Sequence, residues 1–243
     1  MHFHNKHIVI TGGTSGIGLA LVQKLAKHNY VIVISRKGTL PEELFTGRYP
    51  VALYHANLAQ KSDIESVVDQ IQKNHGSIDA LFNNAAIQCT AEFLSDAFNY
   101  DAIQTEIDIN FTAICHLTYL CLPMLLAAEK GQIININSGL AITPKRASAI
   151  YCATKSALDS FSQSLHYQLE NTTIDVQQVF LPLVQTPMTA GRGTGKLLVN
   201  DVASRIIRGA ARNKRVHDIG KVRLLRLINY IAPPLARRIM KAG

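Results

Sequence analysis

Tyr151 and Lys155 stand four residues apart, and Ser138 lies thirteen residues before the tyrosine. Residues four apart in a helix share one face. A free phenol has a pKa of ~10, too high for proton exchange at neutral pH. A neighbouring ammonium favours the phenolate and lowers that value. Such a phenol can pass a proton to or from a carbonyl or carbinol oxygen, and a serine hydroxyl can hydrogen-bond the same oxygen. A bare Y-x-x-x-K arises by chance on many exposed helices. Here it follows a glycine-rich turn, Thr11-Gly12-Gly13-Thr14-Ser15-Gly16-Ile17-Gly18, which changes its weight.

That turn sits between an apolar run and a helical pattern. Gly12 lets the chain reverse sharply, Gly16 lets backbone approach a pyrophosphate, and Gly18 lets the helix pack closely. The helix N-terminus then offers free N–H donors to phosphate, with Thr14, Ser15 and Ile17 in the same loop. The alternative is an ordinary strand-to-helix turn. The next apolar run ends in Ser35-Arg36-Lys37, with no acid before Glu42. In a dinucleotide fold this end faces the adenosine ribose. An acid would bind its 2′-hydroxyl, whereas Arg36 would pair a 2′-phosphate, so NADP(H) is favoured and NAD(H) is the alternative. A solvated basic turn competes with that reading.

The elements that must position these residues follow from periodicity. Residues 7–11, 31–35, 51–55, 79–83, 131–138 and 175–181 read as strands. Residues 17–28, 63–75, 103–128 and 150–169 read as helices, with Ser62 or Asp63 capping the second. Short continuous apolar runs are what strands buried on both faces look like. Their alternation with helices predicts right-handed crossovers and a parallel sheet. The expected fold is α/β: a single-domain, Rossmann-type doubly wound parallel sheet with helices on both faces. Ligands of such sheets bind beyond the carboxyl ends of the strands, where every motif above falls.

The same residues resemble the short-chain dehydrogenase/reductase family from Thr11 to about Thr186. The resemblance assigns Thr11–Gly18 to its cofactor loop and Asn83-Asn84-Ala85-Ala86 to its N-N-A-G segment. It assigns Asn110, Ser138, Tyr151 and Lys155 to its catalytic tetrad. Asn57-Leu58 falls beside the adenine, with Asn84 in the cofactor site. Pro182-Leu183-Val184-Gln185-Thr186 takes the place of a P-G-x-x-x-T segment that touches the nicotinamide side. Ala86 and Leu183 replace glycines, and Ala86 would be strained if its position needs φ > 0. Ala85–Gln88 (AAIQ) and Tyr151–Lys155 (YCATK) resemble, more weakly, a branch linked to bacterial D-alanylation operons. The family implies hydride transfer between nicotinamide and a carbonyl or secondary alcohol. Tyr151 would be the acid or base, and Lys155 would lower its pKa and hold the ribose. Ser138 would position the reacting oxygen, and Asn110 would hold a relay water. Candidate substrate contacts are Gln88, Leu140, Ile142, Ile150, Leu183 and Met188, mostly apolar, which suggests a hydrophobic carbonyl compound. Residues 186–198 hold three glycines and read as a mobile lid. Relatives usually form homo-dimers or tetramers through their long helices.

The chain has 243 residues, 47% hydrophobic and 17% charged, a balance that excludes disorder. Cys89, Cys115, Cys121 and Cys152 lack metal-binding spacing, so no metal site is expected and the thiols read as reduced, cytoplasmic cysteines. His2, His4 and His7 fall in a terminus expected to fray. No charge-free apolar run long enough for a membrane helix is expected. The net charge of +8 is uneven. Residues 205–243 carry eleven Lys/Arg against Asp218 alone, whereas 1–204 carry fourteen bases and sixteen acids. Residues 1–220 therefore read as the catalytic domain and 221–243 as a basic amphipathic extension. Within it, 221–231 reads as an amphipathic basic stretch, Pro233-Pro234 stops any helix there, and 235–241 is a second short basic segment. The extension packs on the body or lies on an anionic membrane surface. Nucleic acid is disfavoured, because Tyr230 is its one aromatic. The competing functional readings are a dinucleotide-binding scaffold without turnover and a membrane-surface interaction protein.

Overall fold

The β-branched runs of this chain pair into one parallel sheet in the computed structural model, which describes residues 3–46 and 48–241. Its strands are β1 (His7–Thr11), β2 (Tyr30–Ser35), β3 (Val51–His55), β4 (Ala80–Asn83), β5 (Gly131–Ser138), β6 (Ile174–Leu181) and β7 (Val216–Asp218). They lie in the order β3-β2-β1-β4-β5-β6-β7, every neighbouring pair parallel. Alternate residues serve opposite layers. Ile8, Ile10, Val31 and Val33 join a core with α1 (Gly16–Leu25) and α6 (Val199–Ala211). Val9, Ile32 and Ile34 join another with α2 (Lys61–His75), α4 (Ala113–Leu126) and α5 (Ala149–Leu169). Each fully buried Ile or Leu contributes about 1.5–3 kcal/mol, so both layers are needed to hold the sheet. The expected doubly wound α/β fold is the one observed.

Several bounds differ from the expectations, each for a local reason. α1 stops at Leu25 rather than 28, where Asn29 Nδ2 donates to the Leu25 carbonyl at 2.8 Å. α2 starts at Lys61, and neither Ser62 nor Asp63 caps it. Asp63 instead accepts from the Asn57 backbone N–H at 2.9 Å and ties down the loop after β3. The N-terminus is not frayed from residue 3 onward. Asp79 accepts from Lys6 Nζ and His7 N, both at 2.9 Å, and His4 packs edge-on against His28. His2 lies outside the described residues. α6 and β7 were not expected; β7 is only three residues long.

The expected helix 103–128 spans 102–126 in three parts: α3 (Ala102–Ile107), a π turn (Asp108–Thr112) and α4. It is long and apolar enough, by length and composition, to cross a membrane, which corrects the sequence expectation. The reason is that 109–128 contains no Asp, Glu, Lys or Arg. In the fold this helix is a core element, with Leu117, Cys121 and Leu125 buried against the sheet.

α7 (Val222–Ile231) and α8 (Pro233–Lys241) follow β7. Pro233 opens α8, where a missing N–H costs nothing. Val222 and Ala236 are buried. Arg226 donates to both Asp218 carboxylate oxygens at 2.7 and 2.8 Å and lies 4.4 Å from the Phe180 ring centroid. Leu227, Tyr230, Ile231 and Leu235 remain exposed.

Candidate active site

The carboxyl ends of β1, β2, β4, β5 and β6 open into one cleft of about 920 Å³. On the β1 side, Gly12 has φ +68° and Gly16 φ +52°, conformations costly for any side chain. A Cβ on Gly18 would stand 2.1 Å from the Gly12 carbonyl oxygen, so the first turn of α1 lies directly on the glycine loop. Ser15 precedes α1 without a side-chain cap bond, and no acid occupies the first turn. The helix therefore presents N–H donors and partial positive charge to the cleft. Thr11 Oγ1 accepts from the N–H groups of Asn84 and Ala85 at 3.0 and 2.9 Å, and Asn84 Nδ2 donates to the Thr11 carbonyl at 2.9 Å. The end of β4 is thereby laced to the glycine loop.

At the end of β2, Ser35 Oγ meets Thr14 Oγ1 at 2.9 Å, and Arg36 and Lys37 project into the cleft exposed. Asn57 and Leu58 line the same end. Ala86 is not at positive φ, so the methyl in place of a family glycine brings no backbone strain. Pro182, Val184 and Thr186 line the opposite wall. The cleft contains six cations, Arg36, Lys37, Lys145, Lys155, Arg192 and Lys221, and no carboxylate among its described lining residues. Its glycine cradle, uncapped helix end and unopposed positive charge fit a dinucleotide phosphate.

β5 delivers Ser138, and α5 delivers Tyr151 and Lys155. The Leu140 N–H donates to Ser138 Oγ at 3.1 Å, which leaves the hydroxyl proton free to point elsewhere. The Ser138 side chain hydrogen-bonds the Tyr151 phenol. Lys155 is buried, and its Nζ donates to the Ile136 carbonyl at 2.9 Å. It stands 5.6 Å from the centroid of the Tyr151 ring. Burial pushes the phenol up to about 12, the Cys152 thiol adds to that, and the Ser138 bond opposes it. Burial pulls the Lys155 ammonium down to about 8. The expectation of a phenol made acidic by its ammonium is therefore not met. Desolvation outweighs attraction because the ammonium addresses the ring and a carbonyl.

Asn110 sits in the π turn, where Ala113 N bonds back five residues to the Asp108 carbonyl. Its amide closes on the backbone of one residue: Oδ1 accepts from Ile87 N and Nδ2 donates to Ile87 O, both at 2.9 Å. Thr154 Oγ1 lies 3.3 Å from the same Nδ2 and donates to the Tyr151 carbonyl at 2.9 Å. Asn110 thus fixes the loop after β4 to α5.

Gln88, Leu140, Leu183 and Met188 line the cleft. Ile150 lines a smaller adjoining pocket with Glu106 and Cys89, and Ile142 lines neither. The 186–198 segment is held at its base and in its middle: Leu197 bonds Leu183 and Gln185 at 3.1 and 2.9 Å, and Arg192 Nη1 donates to Gln88 Oε1 at 2.9 Å. Sequence reasoning missed Lys145, Arg192 and the buried Glu106, whose carboxyl burial pushes up. It also missed that α7 and α8 wall the cleft through Leu224, Leu225, Ile228 and Ile239. The i, i+4 apolar spacing in 224–228 was the available signal.

A family model described as short chain dehydrogenase matches residues 6–196. The uncharacterized oxidoreductase DltE of Bacillus subtilis (strain 168) is 33% identical over 187 residues, which covers 76% of this chain and 74% of that protein. A fatty acyl-CoA reductase of Acinetobacter baylyi is 27% identical over 248 residues, covering 98% and 84%. A short chain dehydrogenase from Burkholderia cenocepacia J2315 in complex with NADP matches with TM-score 0.88 at 18% identity, covering 99% of both chains. One from Sphingobium yanoikuyae in complex with NADPH matches with TM-score 0.82 at 24% identity, covering 96% and 93%. The chain belongs to the short-chain dehydrogenase family of oxidoreductases.

Proposed function

We propose that this protein is an NADP(H)-dependent reductase of hydrophobic carbonyl compounds, with NAD(H) as the weaker cofactor. The observation that carries the reading is the Ser138–Tyr151–Lys155 set in a cleft whose described lining holds six cations and no acid. The Gly12–Gly18 backbone and the α1 N-terminus would hold the pyrophosphate, and Arg36 and Lys37 the 2′-phosphate. Asn57 and Leu58 would border the adenine. Asn84, Pro182, Val184 and Thr186 would border the nicotinamide, and Lys155 the ribose. Bound NADPH supplies the hydride. Tyr151, protonated throughout the neutral range, donates its proton to the carbonyl oxygen. Ser138, whose hydroxyl is oriented by the Leu140 N–H it accepts, would turn its O–H from the Tyr151 phenol to the same oxygen. Asn110 acts by position, holding Ile87 and hence Gln88 beneath the substrate.

Titration with NADPH and NADH, followed by an aldehyde and ketone panel read at the nicotinamide absorbance, tests this. Tighter NADPH binding and carbonyl-dependent oxidation are expected. Equal affinity for both cofactors removes the Arg36 argument, and binding without turnover leaves a scaffold.

Two finer parts of the reading concern partners. A homo-dimer or tetramer would form through α4 and α5, on which Tyr119, Leu126 and Tyr167 are exposed. Residues 221–241 would touch an anionic membrane with the exposed Leu227, Tyr230 and Ile231, flanked by basic residues. Co-sedimentation with phosphatidylglycerol vesicles should drop when Ile231 is changed to Glu; unchanged sedimentation rejects the contact.

A further inference from the structure

The cations of the cleft fall into two groups. Arg36 and Lys37 flank the glycine turn. Lys145 and Arg192 stand at the other end, near Tyr151, where the Arg192 charge acts on the phenol. Both are half-buried. Among the described residues the Lys145 ammonium has no carboxylate and no hydrogen-bond acceptor. Burial first, then the Arg192 charge, holds that ammonium below the usual lysine value, with the Cys152 thiol beside it opposing. Among the described residues Arg192 donates only to neutral oxygens, Gln88 Oε1 at 2.9 Å and the Met188 carbonyl. Gln88 in turn donates to Ser148 Oγ at 3.1 Å, which holds the guanidinium in place.

Two partly desolvated like charges without a counter-ion are unfavourable on their own. They fit a ligand that brings the negative charge with it. Beyond them the wall turns apolar, with Leu183, Leu224, Leu225, Ile228 and Ile239. We infer that the substrate is an amphiphilic carbonyl compound whose anionic group, a carboxylate or phosphate, is held by Lys145 and Arg192. Its aliphatic part runs along the inner faces of α7 and α8. This rests on the reductase reading above. In the reaction the carbonyl carbon gains the hydride that NADPH loses, its oxygen gains the Tyr151 proton, and solvent restores that proton. The anionic group is unchanged and serves only to place the carbonyl beside Ser138.

Three probes built on a ten-carbon oxo chain test the inference with NADPH: 4-oxodecanoate, its methyl ester, and the phosphate monoester of 1-hydroxy-2-decanone. At least one anionic probe should exceed the neutral ester about tenfold or more in kcat/KM, as charge-assisted hydrogen bonds allow. The acid and phosphate arms decide which anion is preferred. The ratio should fall to within about twofold in Lys145→Gln and Arg192→Gln, and persist in Lys145→Arg. Because the ratio is internal to each variant, partial misfolding does not mimic the effect. An ester reduced as well as both anions overturns the inference and leaves the reductase reading intact. A matching loss of NADPH affinity in the Gln variants, read by nicotinamide fluorescence, assigns these cations to the cofactor and also overturns it. If no probe and no ketone of the wider panel is reduced by the wild-type protein, the reductase reading falls first and the inference with it.

Discussion

The two ends of the cleft are made of different material. The end at β1 and β2 is largely backbone: positive-φ glycines, an uncapped helix and a carbonyl 2.1 Å from where a Gly18 Cβ would stand. The end at α7 and α8 is side chain, drawn from residues near 140–145, 183–192 and 221–240. A backbone site has few sequence solutions, because most side chains collide with it. A side-chain site can be rebuilt one residue at a time. Between the two stand Ser138, Tyr151 and Lys155, placed by β5 and α5. On the proposed reading, the contrast teaches that cofactor grip would rest on backbone at the strand ends and proton chemistry on β5 and α5, while the choice of substrate would be delegated to late segments.

The sharpest way to break this division is Tyr151→Phe. Reduction should fall by about 10²–10⁴ in kcat with NADPH binding retained. Near wild-type turnover would move the acid elsewhere and erase the boundary between the two ends.

Lys155→Met tests the same boundary through stability. The folded ammonium titrates at about 8 against an ordinary 10.5. Between those values the unfolded chain binds more protons, so stability rises with pH from about 8 to 10.5. The variant should lose that rise and gain on the order of 2 kcal/mol at neutral pH after losing its bond to the Ile136 carbonyl, although activity drops. Denaturant melts at pH 7 and 10 measure it; a less stable variant at pH 7 would show that Lys155 is held by favourable contacts.

The smallest effect should come from Arg36→Ala. Its side chain is exposed, so NADPH affinity should weaken only about threefold to tenfold, with NADH affinity unmoved. Equal losses for both cofactors would mean that Arg36 does not read the 2′-phosphate.

The glycine turn was legible in the sequence, since Gly12 and Gly16 take the positive φ and Gly18 the close approach that their spacing predicts. Strands β1, β3 and β5 were legible to the residue because apolar runs end where turn residues begin. α6 was not seen, although Val202, Ala203, Ile206 and Ala210 hold helical spacing, because Arg205, Arg208 and Arg212 made the stretch read as a basic tail. Lys145 and Arg192 could not be paired from sequence, since no motif ties a residue before α5 to one in the 186–198 segment. The raised Tyr151 pKa was equally hidden: which face of the phenol the ammonium meets depends on the Ile136 carbonyl that claims it.

The widened coil at Asp108–Thr112 adjusts the phase of two helical halves. Each residue of an α-helix turns the chain by about 100°. Deleting a single residue there would swing Glu106 and the whole of α3 around the axis while α4 stayed on the sheet. The amide that clasps Ile87 would be carried off with it, so this stretch should accept substitutions far more readily than changes in length.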